Sequence, residues 1–141
     1  MFAVKGLDHI VLRTADAARL IAFYRDVLGC AVERSREDLG LWHLRAGAAL
    51  IDIVDAAGPL GRPGGAAPGP EGRNLDHLCL RLQPFDEAAV RAHLAAHGID
   101  APAAVPRFGA EGDGPSVYIA DPDGNTVELK GPPFGGQGPG S

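Results

Sequence analysis

Apolar and polar residues alternate through "LDHIVLR" at residues 7–13, with His9, Val11 and Arg13 on one face and Asp8, Ile10 and Leu12 on the other, which predicts a β-strand. The period then changes. In "TADAARLIAFYRDVLG" the apolar residues Leu20, Phe23, Tyr24, Val27 and Leu28 recur at helical spacing, Asp16 or Thr14 can cap the start, and Gly29 suits the residue past the end. "CAVERSRED", "LGLWHLRAG" and "AALIDIVDA" follow as three short strands, their turns marked by charged residues, Gly40 and Gly47. The first half reads β-α-β-β-β.

The second half repeats this plan. "LDHLCLR" at residues 75–81 shares five of seven positions with the opening strand, the histidine among them. "PFDEAAVRAHLAAHG" then predicts a helix started by Pro84 and Asp86 and ended by Gly98. A short strand is expected around "IDAPAAVP", followed by "PSVYIAD" and "NTVELKG" joined through the turn formers of "DPDG". The fold class is therefore α+β, two tandem βαβββ modules at 1–57 and 75–131. A Gly/Pro-rich connector without apolar period spans 58–74, and the tail 132–141 is too poor in buriable residues to be expected ordered.

A chain of 141 residues suits one core, or two half-units sharing one, rather than two independent domains. Its 45% apolar and 22% charged residues are those of a soluble globular protein, and no apolar run approaches the roughly 20 residues of a bilayer span. No secretory leader is apparent at the start, so a cytoplasmic location is expected. The net charge of -5 disfavours nucleic acid and anionic membranes as partners and leaves a small molecule or a protein. Cys30 and Cys79 read as buried free thiols.

The repeat places one histidine at the same position of each module, His9 and His77. A single strand histidine is commonly structural, but equivalent residues of two related halves can meet near a pseudo-twofold axis and share one ion. Two imidazoles on a divalent metal call for oxygen ligands as well. Asp52 in "ALIDIVD" and Glu128 in "NTVELKG" are carboxylates in the last strand of each module, flanked by apolar neighbours where an unpaired charge is costly. Arg13 and Arg81 share the phase of the histidines and can reach an anionic substrate group or extend to solvent. Trp42 and His43 are strand neighbours, one of which faces the site, with Trp42 read as core or pocket wall. His93 and His97 stand four apart on the second helix, but Leu94 occupies the place where a metalloprotease motif needs Glu, and interaction with the helix C-terminal carbonyls explains them more simply.

The segments "LDHIVLRTADAARLIAFYRDVLG", "LDHLCLRL" and "SVYIADPDGNTVELKG", covering residues 7–131, resemble the vicinal oxygen chelate superfamily of glyoxalase I, fosfomycin-resistance enzymes, extradiol dioxygenases and bleomycin-resistance proteins. The resemblance implies a cupped, partly open β-barrel with helices outside, and a homodimer acting on a small-molecule substrate. It implies one divalent metal ion (Ni, Co, Zn, Mn or Fe) held by His9, His77 and Glu128, with Asp52 where glyoxalase I has a longer fourth ligand. Glu128 and Asp52 are then the proton-moving groups. Arg13 takes the place of the residue that binds the carboxylate of a thiol cofactor such as glutathione, while Ala56 stands where that branch has Asn. Ser116 and Tyr118 match residues that help hold a phosphonate in the fosfomycin-resistance branch, with Arg107 as a candidate cation. A glyoxalase-like lyase or isomerase is the first expectation. The alternatives are a fosfomycin-type transferase or epoxide hydrolase, a ring-cleaving dioxygenase, for which the chain is short, and a non-catalytic drug- or metabolite-binding protein.

Overall fold

The structure, a computed structural model, describes residues 1–135. It divides into two compact units, Met1–Arg73 and Asn74–Ser141, and each repeats the strand–helix–three-strand plan. The last part of the expected tail, 136–141, lies outside the described residues.

In the first unit, strands β1 (His9–Thr14), β2 (Val32–Arg36), β3 (Leu41–Ala46) and β4 (Ala49–Asp55) form a sheet of order β1-β4-β3-β2. β1 runs parallel to β4 and the other pairs are antiparallel. The parallel pair needs a crossover, supplied by helix α1 (Ala17–Ala22) and the strands after it. Asp16 caps α1 by accepting from the Arg19 N–H at 3.1 Å, and its own N–H donates to Thr14 Oγ1 at 3.0 Å, so both residues proposed for the cap take part. The helix expected through Leu28 changes character part-way: Phe23–Val27 is a π-helical stretch, closed where Gly29 takes φ 75°. Leu12, Leu44, Ile51 and Ile53 alternate onto one face of the sheet and are buried together with Leu20, Ile21, Phe23 and Tyr24 of the helical segment. His9, Val11, Arg13, His43 and Asp52 occupy the opposite face by the same alternation.

The second unit has β5 (His77–Arg81), α2 (Glu87–Ala96), β6 (Val105–Gly109), β7 (Gly112–Ala120) and β8 (Thr126–Lys130), in the order β5-β8-β7-β6. Asp86 caps α2 by accepting from the Ala89 N–H at 3.0 Å. Leu78, Val117, Ile119, Val127 and Leu129 are the buried face of this sheet. His77, Cys79, Ser116, Tyr118, Glu128 and Lys130 line the other. "DPDG" forms the β7–β8 turn because Asp121 organises it. Its Oδ1 accepts from the Asp123 and Asn125 N–H groups at 2.9 Å each, and Oδ2 accepts from Asn125 Nδ2 at 2.8 Å.

Three local expectations change. The strand placed around 99–106 begins only at Val105, because Pro102 and the residues around it leave no uninterrupted donor row; Pro106 is tolerated since β6 is an edge. Cys30 is buried, but Cys79 is exposed, being in phase with His77 rather than with the apolar Leu78 and Leu80. The Gly/Pro connector is ordered at its start, with a 3₁₀ turn at Arg62–Gly64. Gly61 is required there, since a Cβ would come 2.1 Å from the Asp55 carbonyl oxygen. Beyond β8, Gly131 and Phe134 donate to the Pro115 and Asp113 carbonyls at 2.8 and 2.9 Å.

Truncating one fully buried side chain in either unit, Leu44→Ala in the first or Leu129→Ala in the second, is expected to cost about 2–5 kcal/mol by urea unfolding. A loss under about 1 kcal/mol for either would show that the burial assigned to that sheet face is wrong.

Candidate functional site

The face of the second unit that carries His77 is built around Glu128. β8 places this carboxylate directly beside Cys79 on β5 and Tyr118 on β7, and it is only 5% exposed. A buried charge needs donors, and Glu128 has them. Ser116 Oγ donates to Oε2 at 2.5 Å, and His77 Nε2 stands 3.2 Å from Oε1. Tyr118 and Cys79 flank the same carboxylate from the two neighbouring strands. Burial alone would raise the Glu128 pKa; the hydrogen bonds from Ser116 and Tyr118, with the His77 charge, outweigh it and hold the carboxyl below its ordinary value. Although the residue is exposed, partial desolvation of its sulfur, aided by the neighbouring carboxylate, pushes the Cys79 thiol up to about 11, so it stays protonated at neutral pH.

His77 is fixed from behind. Its Nδ1 meets Asp76 Oδ2 at 2.8 Å, which leaves Nε2 aimed at Glu128. The Asp76 hydrogen bond is the main reason its pKa is raised above 6.5; burial opposes this and the Glu128 charge adds to it. Tyr118 stacks edge-on to His77 with ring centroids 6.0 Å apart, and the Arg107 guanidinium lies over the Tyr118 ring at 5.7 Å. His77, Glu128, Ser116, Tyr118 and Arg107, five of the residues singled out from the sequence, thus stand together.

The first unit repeats the half-site with changes. His9 Nδ1 meets Asp8 Oδ1 at 2.6 Å, and Nε2 stands 3.9 Å from Asp52 Oδ2. The Asp8 hydrogen bond is again the leading cause of a raised histidine pKa. Asp52, 5% exposed, has its other oxygen on His43, with Nδ1 2.8 Å from Oδ1. Both second-position aspartates, Asp8 and Asp76, were missed in the sequence, although each precedes its histidine in the repeated "LDH" and that spacing was the available signal. Of the strand neighbours Trp42 and His43, it is His43 that faces the site, as the cross-strand partner of Asp52.

Other candidates lie elsewhere. Trp42 is paired with Ile53 and faces away from His9, where it lines an open cavity of about 710 Å³ with Ala17, Ile21 and Arg25. Arg13 spends its guanidinium on the connector, donating to the carbonyls of Gly61, Gly65 and Ala66 at 2.8, 2.6 and 3.1 Å. Arg81 pairs with Glu111 at 2.5 Å. His93 and His97 stand ring to ring at 4.9 Å on α2. Among the described residues, no three His, Cys, Asp or Glu side chains are gathered as a preformed metal cluster; each unit presents a histidine–carboxylate pair instead. No helix among them is long and apolar enough to cross a membrane.

Residues 6–129 match the sequence model of the Glyoxalase/Bleomycin resistance protein/Dioxygenase superfamily. The chain is 32% identical over 128 residues to the glyoxalase domain-containing protein RDO1 of Mycosarcoma maydis, covering 90% of this chain and 68% of that one. It is 29% identical over 127 residues to the virulence protein STM3117 of Salmonella typhimurium, covering 89% and 83%. The solved structure of a lactoylglutathione lyase from Agrobacterium tumefaciens superposes with a TM-score of 0.66 over 95% of this chain and 98% of that one; at 24% identity this is a likeness of fold.

In the presence of a chelator, His77 is expected to titrate above 6.5, and Asp76→Asn to bring its midpoint down, read from the imidazole NMR signals against pH. A raised folded-state pKa means that the charged ring stabilises the fold below the unfolded value, and that this contribution is lost as pH rises through the folded value. An unchanged midpoint in Asp76→Asn would remove Asp76 as the group that holds the ring.

Proposed function

Because the chain belongs to the Glyoxalase/Bleomycin resistance protein/Dioxygenase superfamily, we propose that it is a metal-dependent enzyme acting on a small molecule through two neighbouring oxygens, as a glyoxalase-like lyase or isomerase. The observation that carries this reading is the matched pair of half-sites: in each unit a histidine has Nδ1 engaged by the preceding aspartate and Nε2 turned to a buried carboxylate of the last strand. That is how a carboxylate orients a metal-ligating imidazole. Two ligands bound at about 2.0–2.2 Å to one ion stand roughly 3.0–3.4 Å apart, and the 3.2 Å between His77 Nε2 and Glu128 Oε1 fits this.

The ligand set we assign is His9, His77 and Glu128, a two-histidine, one-carboxylate donor set suited to a borderline divalent cation such as Ni, Co, Zn, Mn or Fe. Bound there, such an ion supplies Lewis acidity to substrate oxygens and stabilises the negative charge that develops on them. Asp52, expected as a further ligand, is held by His43 and faces His9 at 3.9 Å. Glu128, kept ionised by its donors, accepts a substrate proton at Oε1, while Ser116 holds Oε2 and keeps the carboxylate in place. Arg107 and Tyr118 offer a cation and a hydroxyl at the edge of the same face for an anionic substrate group. Arg13, bonded to three carbonyls, is not available as the anchor for a glutathione carboxylate. A cytoplasmic homodimer belongs to this reading.

The Arg107–Tyr118–Ser116 grouping favours a second reading, an epoxide-opening resistance enzyme that takes a phosphonate such as fosfomycin.

Protein purified without chelator is expected to hold close to one divalent ion per chain by mass spectrometry, and His9→Ala combined with His77→Ala to hold none. Absence of stoichiometric metal even after reconstitution, with ligand binding indifferent to chelator, would replace this reading by a binding protein. Reconstituted with Ni²⁺, Co²⁺, Zn²⁺ or Mn²⁺, the protein is expected to convert the hemithioacetal of methylglyoxal and glutathione, and Glu128→Gln to slow that conversion by about 10²–10⁴-fold. Metal-dependent modification of fosfomycin without turnover of the hemithioacetal would move the second reading to the front.

A further inference from the structure

Asp52 is the buried carboxylate of the first unit, and its two oxygens face different imidazoles. Oδ2 lies 3.9 Å from His9 Nε2, whereas Oδ1 is 2.8 Å from His43 Nδ1. A carboxylate has no proton to give, so at 2.8 Å the donor is His43 Nδ1–H, and in the neutral form of such a ring the lone pair is on Nε2. The contact is built into the sheet, because His43 on β3 is the direct cross-strand partner of Asp52 on β4 and shares the face of His9. The side chain of Asp52 is 6% exposed and that of His43 is 18% exposed, so the acid is closed off while the ring reaches the surface of that face. An imidazole held on Nδ1 by a buried carboxylate, with Nε2 making no hydrogen bond among the described residues, has the arrangement of a general base.

The second unit makes the assignment specific. There the cross-strand partner of the carboxylate Glu128 is Tyr118, at the position equivalent to His43. One half therefore pairs its buried carboxylate with a phenol and the other with an imidazole, and the repeat that duplicates His9 as His77 does not duplicate His43.

We propose that His43 Nε2, oriented by Asp52, is a proton-accepting catalytic atom of the first unit, for a small substrate with an acidic C–H or O–H group bound beside His9. This rests on the functional reading above and adds to it a residue outside the metal-ligand set. In the step, the substrate C–H or O–H bond breaks, its electron pair stays on the substrate as the enediolate or alkoxide, and the proton becomes the Nε2–H bond of an imidazolium paired with Asp52. Return of the proton to the substrate restores the neutral ring, so no oxidant, reductant or co-reactant is consumed.

The test has two arms. In the first, long-range ¹H–¹⁵N correlation on the full chain is expected to show His43 as the Nδ1–H tautomer, with that nitrogen's signal displaced in Asp52→Asn, and diethyl pyrocarbonate to add one carbethoxyl group at His43 that is missing from His43→Gln. An Nε2–H tautomer, or a ring that the reagent does not reach, overturns the proposal whatever the activity. In the second arm, His43→Gln, whose amide can still donate to Asp52, is expected to keep its fold and bound metal. With the methylglyoxal–glutathione hemithioacetal its kcat should fall about 10²–10⁴-fold with KM little changed, and imidazole in the buffer should restore part of the rate. Unchanged kcat in His43→Gln overturns the proposal. A parent protein inactive on the hemithioacetal overturns the lyase reading, and the first arm then decides His43.

Discussion

A carboxylate buried within a β-sheet is expensive unless its oxygens are satisfied, and each unit of this chain buries one in its last strand. Much of the polar architecture answers that requirement. In the second unit the charge of Glu128 is met by the hydrogen bond from Ser116 and by His77, with Tyr118 and Cys79 beside it on the neighbouring strands. In the first, Asp52 is met by His43 and faces His9 at longer range. Strands that would otherwise be apolar on both faces therefore carry polar partners at fixed cross-strand positions, and those positions are where the chemistry gathers.

The two units solve the same problem with different side chains. Around Glu128, hydrogen-bond donors together with the His77 charge outweigh burial and hold its carboxyl below the ordinary range, so it stays ionised. An imidazole beside Asp52 provides a donor that can also carry a proton away. Behind both histidines an aspartate holds Nδ1 and raises the ring's affinity for a proton. A duplicated framework has thus diverged at the residues that touch the carboxylates while keeping those that aim the histidines.

The connector shows the same economy. Gly and Pro residues offer little to bury, yet its first part is ordered by one side chain, Arg13, whose planar fork meets three carbonyls. Gly64 lies flat on that guanidinium, where a Cβ would come 2.6 Å from Nε. The arginine that alternation placed on the site face is thereby spent on tethering a loop rather than on a ligand.

The sequence by itself determined the repeated strand–helix–three-strand order, the face on which His9, Asp52, His77 and Glu128 lie, and the caps Asp16 and Asp86, because periodicity and local hydrogen bonding are properties of neighbours along the chain. Cys79, read as buried from its residue type, is exposed, and its phase with His77 was the signal that pointed there. Tertiary structure alone decided that His43 rather than Trp42 meets Asp52, that Ser116, Tyr118 and Cys79 converge on Glu128, and that Arg13 is consumed by the connector. Each of these depends on which strand lies beside which and in what register, and on where a loop with no apolar period folds back. Those are contacts between residues far apart in sequence, and no local pattern records them.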